Sequence, residues 1–331
     1  MNSESSASSL SKIQQKELLK PKFLGSRVSS LEALAGLLDV NLDDLKKLAE
    51  TSDSFYHLHE KTEKPDGSVR YKYSVREPLK SVLKKVNQCF SQRCKYPDYL
   101  TGSLPGWSYS KNAALHAGKG TVICIDATNF FPSIGQDHVK KVWLDFYQFD
   151  ESVAELLAKL CCYQGALAQG SPTSPYLANL AFWDIEPLIV KEFQSRGYDY
   201  SRYVDDICVS STRKLSQEEK TWAILAAKKV FLSKKLKVKN RKTKVMDRNK
   251  RQEVNKRTVN AGRVCASREL KYELRAKVKR FRDAVASGTK PEIPFEKQYQ
   301  SIRGKLFHFR QFNKTAADKM LEQLERAFGA H

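Results

Sequence analysis

Ser201-Arg-Tyr-Val-Asp-Asp-Ile-Cys-Val-Ser210 sets two adjacent carboxylates, Asp205 and Asp206, between the apolar pairs Tyr203-Val204 and Ile207-Cys208. That pattern predicts a β-hairpin with both acids at its tight turn. Such a turn is a poor place to bury charge and a good place to hold a cation, although an Asp-Asp turn taken alone is more often solvated surface. Two upstream stretches add to it. Thr121-Val-Ile-Cys-Ile125 is a short apolar run, read as a buried strand, that delivers Asp126 at its end, with Asn129-Phe-Phe-Pro132 following. Ala168-Gln-Gly-Ser-Pro-Thr-Ser-Pro175 places Gly170 between prolines and polar residues, a turn that precedes an apolar helical stretch through Tyr176, Leu180, Trp183 and Ile185. The turn reads as a substrate-cradling loop opening a helix.

An Asp ending a strand with aromatics four and five residues on, then Gln-Gly-x-Pro-x-Ser-Pro, then Tyr-Val-Asp-Asp, resembles the polymerase core of reverse transcriptases. Upstream of the Asp126 strand lies Asn112-Ala113-x-x-His116. By spacing alone this is a capping or core-packing pair; at this distance before the first Asp it resembles a motif of retron reverse transcriptases. Thr258-Val-Asn-Ala-Gly-Arg-Val264 stands where retron enzymes usually carry Val-Thr-Gly, and departs from that pattern.

The resemblance implies an α+β right-hand polymerase fold with fingers, palm and thumb. Residues 1–28 would be a flexible basic tail, 29–120 N-terminal helices and fingers, 121–266 the palm with part of the fingers inserted, and 267–331 a basic helical thumb. Asp126, Asp205 and Asp206 would hold two Mg2+ ions, with Asp126 and Asp205 bridging the metals. Nucleotidyl transfer needs hard oxygen ligands for such ions, and these are carboxylates with no His or Cys among them. Arg70 and Lys61, on a basic hairpin, would contact the phosphates of the incoming dNTP, and Lys242 would approach its triphosphate. An ordinary solvated hairpin face accounts for Arg70 and Lys61 as well. Phe131 would lie beneath the sugar and disfavour a 2′-hydroxyl, a role compatible with core packing beside Phe130. Gln169 and Gly170 would line the new base pair. Lys271, Arg275, Lys279, Arg282, Arg303 and Lys305 would grip RNA and the RNA–DNA hybrid product. Retron membership implies a structured noncoding RNA as template and primer, a branched product begun from a 2′-hydroxyl, and a role in antiphage defence with a separate effector protein. Other defence-associated or intron-related reverse transcriptases, and an RNA-binding scaffold or inhibitor, are the competing readings.

Charge is consistent with a polyanion partner. The 331 residues carry a net charge of +21, but residues 1–212 hold 25 Lys and Arg against 25 Asp and Glu, and residues 213–331 hold 33 against 12. A neutral front and a cationic back read as a catalytic body with a polyanion-gripping end. The 7 cysteines form no Cys-x-x-Cys pair, and most sit among apolar neighbours, as expected of small buried hydrophobes in a reducing cytosol. Met1 to Ser11 is polar and lacks a signal-peptide core, and no apolar run is long enough to span a membrane, so a cytoplasmic location is expected.

Along the chain, Ser29-x-x-Glu32 and Asn41-x-x-Asp44 predict two short helices. Phe55 to His59 and Ser68 to Val75 alternate around Lys64-Pro-Asp-Gly67, which predicts a hairpin. Apolar periodicity predicts helices over 78–94, 136–160 and 216–232, the last opened by Ser216-x-x-Glu219. Leu236 and Val238 alternate with lysines over 234–244 as in a strand with one cationic face. Three helices follow: one from near Ser267 to Gly288, one through Phe295, Tyr299, Ile302, Leu306 and Phe309, and one capped by Thr315-x-x-Asp318.

Overall fold

The computed structural model describes residues 19–63, 67–238, 241, 243–288 and 292–329. Lys242, residues 1–18 of the tail and residues 64–66 of the hairpin turn lie outside the described residues. The chain begins with β1 (Lys22–Phe23), α1 (Leu31–Leu38) and α2 (Leu42–Glu50). Ser30, not Ser29, caps α1 by accepting from the Ala33 N–H at 3.2 Å. Asn41 caps α2 through the Asp43 and Asp44 N–H groups. An antiparallel ribbon follows, β2 (Tyr56–Glu63) with β3 (Val69–Val75), irregular between Leu58 and Glu60. Helix α3 (Leu79–Cys89) stops short of the expected Cys94, because the chain tightens into a 3-10 turn over Ser91–Arg93 and Cys94 opens β4 (Cys94–Lys95), which pairs with β1. Ser108 caps α4 (Tyr109–Leu115), the helix that carries Asn112 and Ala113.

The central sheet begins with β5 (Thr121–Asp126). After α5 (Phe130–Ser133) and α6 (Gln136–Lys141), a π turn over Val142–Phe146 leads to α7 (Glu151–Cys161). The continuous helical pattern expected over 136–160 is therefore broken: Gln148 takes a φ of 57°, and Asp150 starts a new helix by accepting from the Ser152 N–H at 2.9 Å. Next come α8 (Ser174–Leu180), α9 (Glu186–Ser195), β6 (Asp199–Tyr203), β7 (Asp206–Ser211) and α10 (Gln217–Leu232), which opens on a full capping box between Ser216 and Glu219. Of the strand expected over 234–244, residues 239, 240 and 242 lie outside the described residues, Val238 makes an isolated antiparallel bridge with Ala127, and the start of the run is not strand. Lys235, with a φ of 61°, ends α10 in a Schellman turn: Leu236 N–H bonds to Phe231 O at 3.0 Å and Lys235 N–H to Leu232 O at 2.9 Å. Leu236 is thus buried as the apolar residue of a helix cap, and β8 (Lys244–Asp247) starts only at the end of the predicted run.

These strands form one antiparallel sheet in the order β6-β7-β5-β8. Alternation divides its faces. Ile123, Ile125, Ile207 and Val209 join the main core with Ile189 and Val190 of α9 and Ala223 and Val230 of α10. Val122, Cys208 and Met246 face a smaller cluster with Ala113 of α4. That cluster also takes in Val254 of β9 (Glu253–Val254) and the nearby Val259; β9, β10 (Arg257–Thr258) and β11 (Cys265–Ala266) make a second antiparallel sheet.

The last helices are α11 (Arg268–Ala286), α12 (Phe295–Arg310) and α13 (Lys314–Gly329). They share their own core of Leu274, Val278, Phe281, Leu306, Phe309 and Leu324, among others. Asn313, rather than Thr315, caps α13 by accepting from the Ala316 N–H at 3.1 Å. All seven cysteines are free. No helix among the described residues is long and apolar enough to cross a membrane.

Candidate active site

Asp126, the last residue of β5, stands opposite Asp206, the first residue of β7. Asp205 alone occupies the turn with Val204, so the expectation of both acids in the turn shifts by one residue. The Ala127 N–H donates to the Asp205 carbonyl at 3.1 Å, tying the turn to the end of β5. Each of the three acids is half-buried, and each can offer a carboxylate oxygen within 4.8 Å of the others. Three like charges in so small a volume repel one another unless cations or protons intervene. An all-oxygen set at this spacing fits a hard divalent cation.

The turn is held under strain. Val204 has a φ of 59°, a region that costs a β-branched residue about 1–3 kcal/mol and persists only where its surroundings impose it. Two supports do so. At Gly102 a Cβ would lie 2.2 Å from the Val204 nitrogen, so only glycine lets that loop close over the turn, and the Gly102 carbonyl accepts from Asn179 Nδ2 at 2.8 Å. From beneath, Arg202 Nη1 donates to the Val204 carbonyl at 3.1 Å. The Arg202 side chain is fully buried, and its Nε and Nη2 fork onto Glu186 at 2.7 and 2.8 Å. Tyr200 O–H donates to the same carboxylate at 2.7 Å.

His116 follows α4 and is buried against the hairpin, in contact with both of its strands. Its Nδ1 meets Ser210 Oγ and its Nε2 meets Ser201 Oγ, both at 2.8 Å. Burial depresses its pKa to about 4, so the neutral ring bolts β6 to β7. Asn112 is also buried; its Oδ1 accepts from Thr101 Oγ1 at 2.8 Å and its Nδ2 donates to Asn255 Oδ1 at 2.5 Å.

Arg70 and Gln169 lie far apart in sequence and meet here: Arg70 Nε donates to Gln169 Oε1 at 2.8 Å. The Tyr73 N–H donates to the Gln169 carbonyl at 2.8 Å. Gly170, at a φ of 108°, passes so close that a Cβ would lie 2.0 Å from the Tyr73 carbonyl oxygen. The β2–β3 ribbon is thereby docked onto the Gln-Gly loop. Lys61 pairs with Tyr71 and Arg70 with Thr62, so alternation puts Lys61 on the other side of the ribbon from Arg70. Phe131 is partly buried, its ring edge-on to Phe130 at 5.6 Å. On α11, Arg275, Lys279 and Arg282 form one exposed stripe and Lys271 is partly buried. On α12, Arg303 lies over the Phe307 ring at 4.9 Å. Lys305 is exposed, and the neighbouring Lys277 lowers its pKa.

Residues 62–272 match the family model for "Reverse transcriptase (RNA-dependent DNA polymerase)". The chain belongs to the reverse transcriptase family. Its curated relatives include Retron Se72 reverse transcriptase of Salmonella heidelberg (strain 579083-10), 35% identical over 205 residues that cover 62% of this chain and 54% of that protein. Retron Ec48 reverse transcriptase of Escherichia coli is 30% identical over 230 residues, 66% of this chain and 56% of that protein. Retron Ec86 reverse transcriptase, also of Escherichia coli, is 26% identical over 252 residues, 76% of this chain and 78% of that protein. The chain spans about half the length of the first two, and the similarity is to reverse transcriptases of the retron type.

In this family the antiparallel sheet with α9 and α10 on one face is the palm of an α+β polymerase fold. Where this member departs from the usual retron Val-Thr-Gly, Asn260 closes a loop. Its Oδ1 accepts from the Gln252 N–H at 2.7 Å, and its Nδ2 donates to the Arg248 and Lys250 carbonyls at 3.2 and 2.7 Å. Sequence reasoning missed the supports Gly102, Glu186 and Arg202, whose pairings are made only by the fold. The only local signal at Asn255 is the Asn itself, a residue that tolerates positive φ, since Asn-Lys lacks the glycine of the usual two-residue hairpin turn.

Proposed function

We propose that this chain is an RNA-directed DNA polymerase of the retron type, which copies a structured noncoding RNA into DNA from a 2′-hydroxyl of that RNA and leaves a branched RNA–DNA product. The observation that carries the reading is the meeting of Asp126, Asp205 and Asp206 within 4.8 Å, at a strand end and a hairpin, in a chain of the reverse transcriptase family. Mg2+ held by these carboxylates would supply charge neutralisation at the attacking and leaving oxygens. The chain's own residues do the rest. Arg70 and Gln169, hydrogen-bonded to each other, present a cation and an amide to the phosphates and the new base pair. Phe131 disfavours a 2′-hydroxyl on the incoming sugar. Arg275, Lys279 and Arg282, with Lys271, Arg303 and Lys305, hold the duplex through its phosphates, which suits an A-form hybrid read by shape. Antiphage defence with a separate effector belongs to the same reading.

The test is to express the chain with its native flanking locus and analyse the nucleic acid that co-purifies with it, beside an Asp205→Asn/Asp206→Asn variant. The expected result is a DNA species that shortens when RNase removes covalently attached RNA and that is missing from the variant. DNA without attached RNA points to another class of reverse transcriptase. Equal amounts of RNA alone from both proteins would overturn the polymerase reading in favour of an RNA-binding scaffold.

A further inference from the structure

The buried Asn112 and the turn between β9 and β10 have no part in the chemistry above. Asn112 Oδ1 is taken up by the Thr101 hydroxyl at 2.8 Å, which leaves its amide NH2 to donate to Asn255 Oδ1 at 2.5 Å. With Oδ1 so engaged, Asn255 turns its own NH2 towards Asp206, whose Oδ2 it approaches at 3.4 Å. The contacts run in one sense, from the Thr101 O–H to the carboxylate. Flipping the Asn255 amide would set NH2 against NH2 at one end and oxygen against carboxylate at the other, so the network fixes its orientation. The backbone is equally specific. Asn255 and Lys256 have φ of 47° and 60°, the two positive values of a type I′ hairpin turn, where Asn is among the few comfortable residues.

We propose that Asn255 is a positioning residue for Asp206, anchored by Asn112, so that the Asn-Ala-x-x-His motif acts on the acidic cluster through the β9–β10 turn. The inference rests on reading that cluster as a divalent-cation site. A donor on one carboxylate oxygen fixes the side-chain torsion and presents the other oxygen to the cluster, as hydrogen-bonded partners of metal-ligating carboxylates do. It also ties the depth of the turn over the sheet to the geometry of the acids, because Asn255 touches both.

Asn255→Gly keeps the positive φ and removes the amide. Asn255→Asp keeps the size and sets a like charge against Asp206. Asn112→Ala frees the anchor. Mn2+ binding to the full chain without nucleic acid, followed by electron paramagnetic resonance, reads the site directly, and the Mg2+ concentration for half-maximal RNA-templated incorporation reads it in action. Asn255→Gly is expected to weaken Mn2+ binding and raise the Mg2+ requirement by about 10–100-fold. Asn255→Asp should do more and Asn112→Ala less, with KM for dNTP changed little in each. Asp205→Asn controls for the site itself. If it abolishes Mn2+ binding while Asn255→Gly and Asn255→Asp bind as the wild type does, the positioning role is wrong and the cation site stands. If Asp205→Asn leaves Mn2+ binding unchanged, both fail. Should Asn255→Gly not fold, Asn255→Asp decides.

Discussion

Replacing Glu186 by Gln perturbs the buried support of the Val204-Asp205 turn with almost no change of shape. Arg202 and Glu186 are 0% and 1% exposed, and the guanidinium forks onto the carboxylate at 2.7 and 2.8 Å. An amide in that place keeps one acceptor, turns an NH2 against the guanidinium, and leaves a buried cation without its counter-charge. Removing one partner of a buried ion pair costs about 3–5 kcal/mol. At about 2 °C per kcal/mol for a chain of this size, Tm should fall by roughly 5–10 °C. Stability alone does not isolate the positioning role, because Arg202 also donates to the Val204 carbonyl at 3.1 Å. A second variant, Glu186→Leu/Tyr200→Phe/Arg202→Met, replaces the polar group with apolar residues of similar size. Such swaps are often neutral or stabilising, so Tm should recover most of the loss. The Val204 carbonyl then has no charged donor, a bond of about 1.5–3 kcal/mol, and incorporation should remain slower by roughly 10–100-fold. Differential scanning fluorimetry and single-turnover incorporation on the same preparations give both numbers. A Glu186→Gln protein that melts with the wild type, or a triple variant that incorporates at the wild-type rate, would refute the reasoning.

Gly170→Ala puts a Cβ 2.0 Å from the Tyr73 carbonyl oxygen. It should push the β2–β3 ribbon off the Gln-Gly loop and raise KM for dNTP by about tenfold or more, the loss of ~1.4 kcal/mol of binding; an unchanged KM would show that the docking does not matter to the nucleotide. His116 has a folded-state pKa of about 4 against about 6.5 in the unfolded chain. The unfolded state therefore binds the proton first, and the neutral ring's contribution, complete above pH 6.5, is lost as pH falls towards 4, by about 3 kcal/mol in all. Urea unfolding should show the advantage of wild type over His116→Gln shrinking by that amount across this window; a constant difference would mean that the ring is not buried neutral. Changing Arg275, Lys279 and Arg282 to Gln should leave Tm unaltered and reduce the slope of log K against log salt for an RNA–DNA hybrid by about 2–3. An unaltered slope would place the duplex elsewhere.

What the sequence disclosed was whatever depends on near neighbours. Asp126 at the end of an apolar run, the capping box at Ser216 and Glu219, and the periodic faces of α11 and α12 follow from local alternation and capping, and they stand where expected. The hairpin itself was legible too, with Asp206 one residue inside β7 rather than in the turn. Misreadings came where one local pattern had two causes. Leu236 and Val238 alternate with lysines as strand residues do, yet Leu236 is apolar because a Schellman turn buries it, and no glycine marks that turn because Lys235 takes the left-handed position. The stretch 136–160 keeps helical spacing across a break at Gln148, since the residues on both sides face one core. The supports of the site were illegible for a different reason. Glu186 with Arg202, Arg70 with Gln169 and Asn112 with Asn255 are pairings between elements, and periodicity in a single chain says which face is buried, not which polar group waits there.

Single-nucleotide incorporation onto an RNA-templated primer bears most directly on the acidic cluster. Wild type and Asp205→Asn are compared at saturating dNTP with Mg2+, with Mn2+ and with chelator, after both have been shown to melt alike. Asp126, Asp205 and Asp206 lie within 4.8 Å of one another as one oxygen-donor set. Incorporation by the wild type should therefore require the divalent ion and fall in the variant by about a thousandfold or more, ~4 kcal/mol of transition-state stabilisation. Incorporation by Asp205→Asn at the wild-type rate, or by the wild type in chelator, would contradict a metal-dependent polymerase site at these three residues.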